Sequence, residues 1–364
     1  MKNKSSVYKV QMFKIVYETM KNRNFILLFV ALFVASCGEK KGFNGLFDEV
    51  CHVELNKYDE TLTSVMRSPS EFCVVDSCFV FVEPKSDDWL TIYDGKTGQS
   101  VQLLHRGQGD IEALDVQTIA KGKRAGEIYA LDVLSKKLFV VDVENKLLSV
   151  DKDYSLRNDS LSVQSIVYDD SVSIYETQGR ERHFVIDDNV GRREFGNLNF
   201  SSEIDAVTMS NTASGYCVGL NSMDRFVWAS MFGDIFEIYD YSRPDDIKVV
   251  KSNVVRVPKM DLQGLLMSDA NIGVVSLTAS EENIYMLYSG KTFNLFSGFS
   301  DLEELKASKT ILVFDWNGNP IKSIQFDKDV LYISYDKNAE RLYCLGINED
   351  GEYRLYYVEN LVER

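Results

Sequence analysis

Apolar and polar positions repeat with one dominant rhythm, clearest between Ile311 and Val358. Five short runs rich in β-branched and aromatic residues lie there: Ile311–Phe314, Ile321–Phe326, Leu331–Tyr335, Arg341–Ile347 and Tyr353–Val358. Turn residues separate several of them, at Asp315-Trp-Asn-Gly-Asn-Pro320, Asp336–Asn338 and Asn348-Glu-Asp-Gly351. Short runs punctuated by Asn, Asp, Gly and Pro predict strands joined by hairpins. No helix-length apolar stripe interrupts them.

The rhythm extends back through the chain. A first group holds Phe72–Val75, Cys78–Val82, Leu90–Tyr93 and Val101–Leu104. A second holds Glu127–Asp132, Lys137–Asp142 and Leu147–Val150; a third Ser165–Tyr168, Val172–Tyr175, Arg182–Ile186 and Arg193–Phe195. The fourth holds Tyr216–Leu220, Arg225–Ala229, Ile235–Tyr239 and Ile247–Val250. The fifth runs from Ile272 to Phe326 and the sixth from Leu331 to Val358. Groups of four short strands recurring every ~40–55 residues are the sign of propeller blades. Similar phrases fall at equivalent places: Ile128-Tyr-Ala-Leu-Asp132, Ile284-Tyr-Met-Leu-Tyr288 and Leu342-Tyr-Cys-Leu-Gly346 on second strands. Two stacked sandwiches would also be strand-rich, but would not require this period. The pattern predicts an all-β, six-bladed β-propeller of four-stranded antiparallel blades. The sixth group lacks one strand, so a segment within Val53–Met66 is expected to supply it and remove the open edge.

One stretch breaks the rhythm. Ser300-Asp-Leu-Glu-Glu-Leu-Lys-Ala307 carries Ser with Glu303 three residues on, a capping box that predicts a short helix. Phe293, Leu295, Phe296 and Phe299 precede it. Simple packing of an insertion is the first account of an apolar loop carrying a helix; the functional one is a partner surface or a cover over one end of the ring.

The N-terminus has a different pattern. Lys21 and Arg23 precede an apolar run from Phe25 to Ala35, about half of the ~20 residues a spanning helix needs. Basic flank, short apolar core and small residues before a break describe a secretory signal. The break is Val34-Ala35-Ser36-Cys37, which resembles a bacterial lipobox. That resemblance implies cleavage before Cys37 and acylation of its thiol, giving a membrane anchor. Met20 would begin a signal of ordinary length. Residues 1–36 are therefore expected to be removed, residues 37–49 to form a lipidated tether, and residues 50–364 to form the propeller. The removed segment holds six Lys/Arg and one Glu, so the formal charge goes from −15 to −20. Such an acidic chain is a poor partner for nucleic acid, whose phosphates need a basic surface. A single propeller closed on itself is expected to be monomeric. Gly38-Glu39-Lys40-Lys41 lacks the run of acids that resembles a surface-export tag, which favours the periplasmic side of the outer membrane.

Candidate chemistry is sparse. The only histidines are His52, His105 and His183, and no pair has metal spacing. There is no Gly-x-Ser-x-Gly elbow, although a Ser/His/acid set can assemble from distant residues. Asp151-Lys-Asp153-Tyr-Ser155 begins like a calcium loop, but Leu156 and Ser162 stand where glycine and glutamate are needed. No cofactor and no metal site is expected. Cys73 and Cys78 could bridge a hairpin in an oxidising compartment, whereas Cys217 and Cys344 read as core. Trp89 and Trp316 lie near turns, where a sugar ring could stack on them.

Together the lipobox, the blade rhythm and His105-Arg-Gly-Gln-Gly-Asp-Ile-Glu112 resemble the TolB-like six-bladed propeller lipoproteins of Gram-negative anaerobes. Members of that family often carry an Arg-Gly-x-Gly-Pro-x-Glu turn after the first blade; here Asp110 replaces the proline. The glycines are expected to provide a positive φ for the turn into the next blade. The resemblance implies an envelope protein without assigned chemistry. Two functions follow as expectations: a non-catalytic module binding a protein, peptide or glycan, or a hydrolase or lactonase with a metal in the channel.

Overall fold

A computed structural model of the protein describes residues 42–58, 60–122, 124–151, 163–168, 172–198, 205–260, 270–292, 302–359 and 361. Blades 1 to 4 are four-stranded antiparallel sheets. Their inner strands are Glu71–Val75, Val116–Lys121, Val163–Tyr168 and Gly215–Leu220, and their outermost strands Ser100–His105, Leu147–Val150, Gly191–Asn197 and Lys248–Arg256. Blades 5 and 6 share one long strand, Pro320–Asp336. Its first half pairs with Ser308–Asp315 as the outer strand of blade 5, and its second half pairs with Arg341–Ile347 as the inner strand of blade 6. Each inner strand packs beside the next, and the last returns to Glu71–Val75, which closes a ring of six.

Sequence reading missed the inner strand of blade 2. Val116-Gln-Thr-Ile-Ala-Lys121 mixes polar and apolar residues without a strand's alternation, because the strand borders the axial cavity rather than a core on both sides. A short helix, α1 (Ala206–Thr212), was also missed; Asp205 caps it by accepting from Thr208 N at 3.0 Å.

The ring closes as expected, with an addition. Asn56–Lys57 pairs antiparallel with Tyr356 and Tyr357 and becomes the fourth strand of blade 6. Tyr58 then packs on Phe79 and Tyr343, joining blades 6 and 1. Just before this, Val50–Val53 runs parallel to Ser323–Phe326, adding a fifth strand to blade 5. The tether expected over residues 37–49 is corrected here. The compact unit begins at Gly42. Phe43 is fully buried among Phe236, Tyr288 and Phe314, and Phe47 packs on Phe314. Burying a Phe side chain is worth ~1.5–3 kcal/mol, and these contacts join the segment to blades 4 and 5.

The core lies between blades. One cluster, including Val80, Ile92, Ile128 and Phe139, joins blades 1 and 2. Another, centred on Phe184, Phe226, Trp228 and Tyr239, joins blades 3 and 4. Equivalent clusters fill the 4–5, 5–6 and 6–1 junctions. Among the described residues, the cluster at the 2–3 junction is built on Tyr129, Leu131, Leu138, Tyr175 and Val185.

Candidate functional site

The inner strands enclose an axial cavity of about 650 Å³. All six contribute to its wall, through residues such as Cys73, Ile119, Val167, Tyr216, Ser276 and Ser334. We call the face where the inner strands start the head face, and the opposite one the tail face. Ser70, Ser214 and Lys306 border the cavity at the head; Lys121, Leu220 and Ala279 border it at the tail. Helix α2 (Leu302–Lys306) lies in the insertion between the second and third strands of blade 5, so it belongs to the head face. Ser289 Oγ donates to Leu305 O at 2.6 Å, and Lys291 Nζ donates to Glu304 O and Ala307 O at 2.6 and 2.7 Å. The helix expected over 300–307 therefore exists as Leu302–Lys306. Phe293, Leu295, Phe296 and Phe299 lie outside the described residues, as do Cys37 and most of the Asp151–Ser162 segment.

Polar side chains on the wall have a structural task. An inner strand has a free backbone edge toward its neighbour, and a buried N–H there needs an acceptor. Ser276 Oγ accepts from Ile333 N at 3.0 Å, Thr278 Oγ1 accepts from Tyr335 N at 3.0 Å, and Ser334 Oγ accepts from Val74 N at 2.9 Å. These bonds clasp blade 5 to 6 and blade 6 to 1. At the junction of blades 1 and 2 a carboxyl does the same: Glu71 Oε2 accepts from Ile119 N at 2.8 Å.

Glu71 differs from the hydroxyls because it can ionise. Burial against the cavity wall pushes its pKa up to about 8, outweighing the Ile119 and Thr118 hydrogen bonds and the attraction of Lys306. It is consequently a neutral acid below that pH, with a proton to donate. Tyr216, across the ring on blade 4, is also pushed up, by burial first and then by the charges of Glu71 and Glu176. Burial pushes the Cys73 thiol up to about 11, which leaves it a poor nucleophile. Cys217, read as core, packs partly buried against the cluster between blades 3 and 4 and also borders the cavity.

A Ser/His/acid set does come together at the head end of blades 3 and 4. His183 Nε2 lies 2.9 Å from Glu176 Oε1, and its Nδ1 lies 3.5 Å from Ser210 Oγ. Glu176 Oε1 also accepts from Trp228 Nε1 at 2.7 Å and Gly215 N at 3.1 Å. Ser210 Oγ donates to Thr177 O at 3.2 Å. The exposure of Ser210, His183 and Glu176 is 0–1%. No substrate carbonyl can reach the hydroxyl, and the carboxylate is engaged by three partners. The set is a clasp between blades 3 and 4, with α1 bonded into it.

The Arg106–Glu112 turn is structural too, for a reason other than the expected one. Neither Gly107 nor Gly109 has a positive φ; the left-handed residue nearby is Leu104 at 66°. A Cβ on Gly107 would lie 2.0 Å from Glu112 Oε2, so a side chain there would displace the Glu112 carboxylate, which accepts from Gly109 N at 2.7 Å. Arg106 stacks 3.5 Å over Trp89 and donates to the carbonyls of Ser86, Glu83 and Pro84. Trp89 and Trp316 are 4% and 3% exposed, so neither can stack on a sugar. Cys73 and Cys78 are thiols rather than a disulfide. They are not cross-strand partners: Cys73 faces Val80 and Cys78 faces Val75.

Sheet topology, ring closure and axial cavity define a six-bladed β-propeller. Residues 47–338 match the TolB-like 6-blade propeller-like family, and the chain belongs to it. Among solved structures it is similar to a putative exported protein from Bacteroides fragilis, at 11% identity and a TM-score of 0.55, covering 86% of this chain and 100% of the other. It is also similar to a member of the duf4221 family from Bacteroides vulgatus, at 10% identity and a TM-score of 0.54, covering 83% and 94%. Those likenesses are of fold. No curated protein matches the chain.

Proposed function

We propose that the protein is a lipid-anchored envelope lipoprotein whose propeller is a non-catalytic scaffold. It binds a protein, peptide or glycan at the head end of its channel. The observation that carries this reading is the head end itself. There the cavity, helix α2 and Lys306 come together on a frame in which the wall hydroxyls of Ser276, Thr278 and Ser334 hold blades together. Such a frame lets loops vary without unfolding the ring. The wall adds a carboxyl, hydroxyls and thiols, and among the described residues no three metal-ligating side chains cluster. The hydrolase or lactonase reading gains no specific support from the described wall.

Anchoring rests on the lipobox ending at Cys37. Likeness of fold to a putative exported protein supports an envelope address; the outer membrane and its periplasmic side are our reading of the lipobox and of Gly38-Glu39-Lys40-Lys41, which lacks a run of acids. Cys37→Ala should move the protein from the membrane fraction to the soluble fraction. Unchanged partition together with an uncleaved N-terminus would refute the anchor.

A further inference from the structure

The described chain begins at a fixed point on the head face. Gly42 sits against the start of one strand of blade 4 (Asp234–Asp240), the end of its neighbour (Lys248–Arg256) and the end of the second strand of blade 5 (Asn283–Tyr288). A Cβ there would lie 2.2 Å from Arg256 Nη2, 2.5 Å from Tyr288 Oη and 2.7 Å from Asp234 Oδ2. Those three groups are tied together. Arg256 pairs with the fully buried Asp234 and donates to Tyr288 Oη at 2.8 Å, while Asn271 donates to Asp234 at 3.2 Å. Phe43, immediately after, is fully buried. The origin of the chain on the domain surface is therefore as fixed as the blades themselves.

From this we infer that the head face, with the channel mouth, is held against the lipid surface. The inference rests on acylation of Cys37. From Gly42 back to Cys37 there are five Cα–Cα steps, a reach of about 18 Å at full extension whatever path the chain takes. The strands of blade 4 are six to nine residues long, so head and tail faces are about 20–30 Å apart. A chain starting at the head face cannot run down the blade and still put an acyl chain in a bilayer facing the tail. Apolar exposure does not decide the matter, since it occurs at both ends: Val207 on α1 at the head is 38% exposed, and Met223 at the tail of blade 4 is 47% exposed. Reach decides it. The occupant of the head-face surroundings is the bilayer surface, and a partner reaches the channel mouth along the membrane or from within it.

The test uses the full chain, processed in a lipoprotein-maturing host and reconstituted in phosphatidylethanolamine–phosphatidylglycerol vesicles with a headgroup-attached quencher. A fluorescent amino acid replaces either Val207 or Met223. Mass spectrometry first establishes acylation of Cys37; an uncleaved, unacylated N-terminus overturns the anchor and this orientation with it. With acylation present, quenching several-fold stronger at position 207 than at 223 is expected. Equal or reversed quenching overturns the orientation and leaves the anchor standing. Thirty Gly/Ser residues inserted between Lys41 and Gly42 give a coil with a span of about 30 Å. They should bring the two signals together, and an undiminished difference would overturn reach as the cause.

Discussion

Glu71, half-buried on the cavity wall, and Glu176, fully buried, are two carboxyls with the same first task and different remainders. Each accepts a backbone N–H that belongs to a neighbouring blade, Ile119 for Glu71 and Gly215 for Glu176. Glu176 then takes His183 and Trp228 on the same oxygen and is sealed between blades 3 and 4. Glu71 keeps its other oxygen near the cavity, with Thr118 Oγ1 at 3.5 Å. What separates them is the number of partners rather than the residue type. A carboxyl whose bonding is complete is part of the frame. One with capacity left, facing a cavity, is available to a ligand.

The comparison breaks most visibly at Glu176. Glu176→Ala leaves His183, the Trp228 indole N–H and the Gly215 N–H without their acceptor, in a site that excludes water. Breaking a buried pair of this kind costs about 3–5 kcal/mol. The urea midpoint should fall accordingly, and a shift equivalent to less than ~1 kcal/mol would mean the clasp is not structural.

Glu71 should behave differently, and its effect depends on pH. Its folded pKa of about 8 lies above its ordinary value of 4.5. Between those values the folded chain holds a proton that the unfolded chain has released, so stability falls as pH rises from about 4.5 to about 8. Glu71→Gln retains the acceptor for Ile119 N and cannot ionise. It should be more stable than the parent by about 2–4 kcal/mol at pH 9, and near parity at pH 4.5. Thermal melts at the two pH values check this; a pH-independent difference would place Glu71 in an ordinary aqueous setting.

The hydroxyl clasps should give the smallest effect. Ser334→Ala removes the acceptor of Val74 N at one of several inner-strand junctions. A loss of about 1 kcal/mol, the same at both pH values, is expected from denaturant unfolding.

Much of the fold was legible in the sequence, because second and third strands are buried on both sides and read as continuous apolar runs. Ile128–Asp132 and Ile311–Phe314 are examples. Inner strands were harder. Val116–Lys121 faces a cavity and clasps a neighbour, so its mixed polarity lacks a strand's alternation and resembles a loop, and Glu71 was left outside the strand it begins. The N-terminal strap also escaped, since Phe43 and Phe47 are two apolar residues in a glycine-containing stretch and only tertiary contacts show that they pack. The partners of His183, Glu176 and Ser210, and the Trp228 that shares Glu176, come from separated stretches of chain that no spacing rule links. A polar residue opening an otherwise apolar strand was the available signal for Glu71.

The central claim is that recognition occurs at the head end of the channel. Its most direct measurement compares three purified mature propellers as baits in envelope extracts: the parent, Lys306→Glu at the cavity margin and Met223→Glu on the tail face. Met223 is exposed and Lys306 is half-buried at the cavity margin, so each variant is compared only after it shows the β-sheet spectrum of the parent. A partner bound at the head end should be retained by the parent and by Met223→Glu and lost from Lys306→Glu. Equal retention by all three, or loss only from Met223→Glu, would contradict the account.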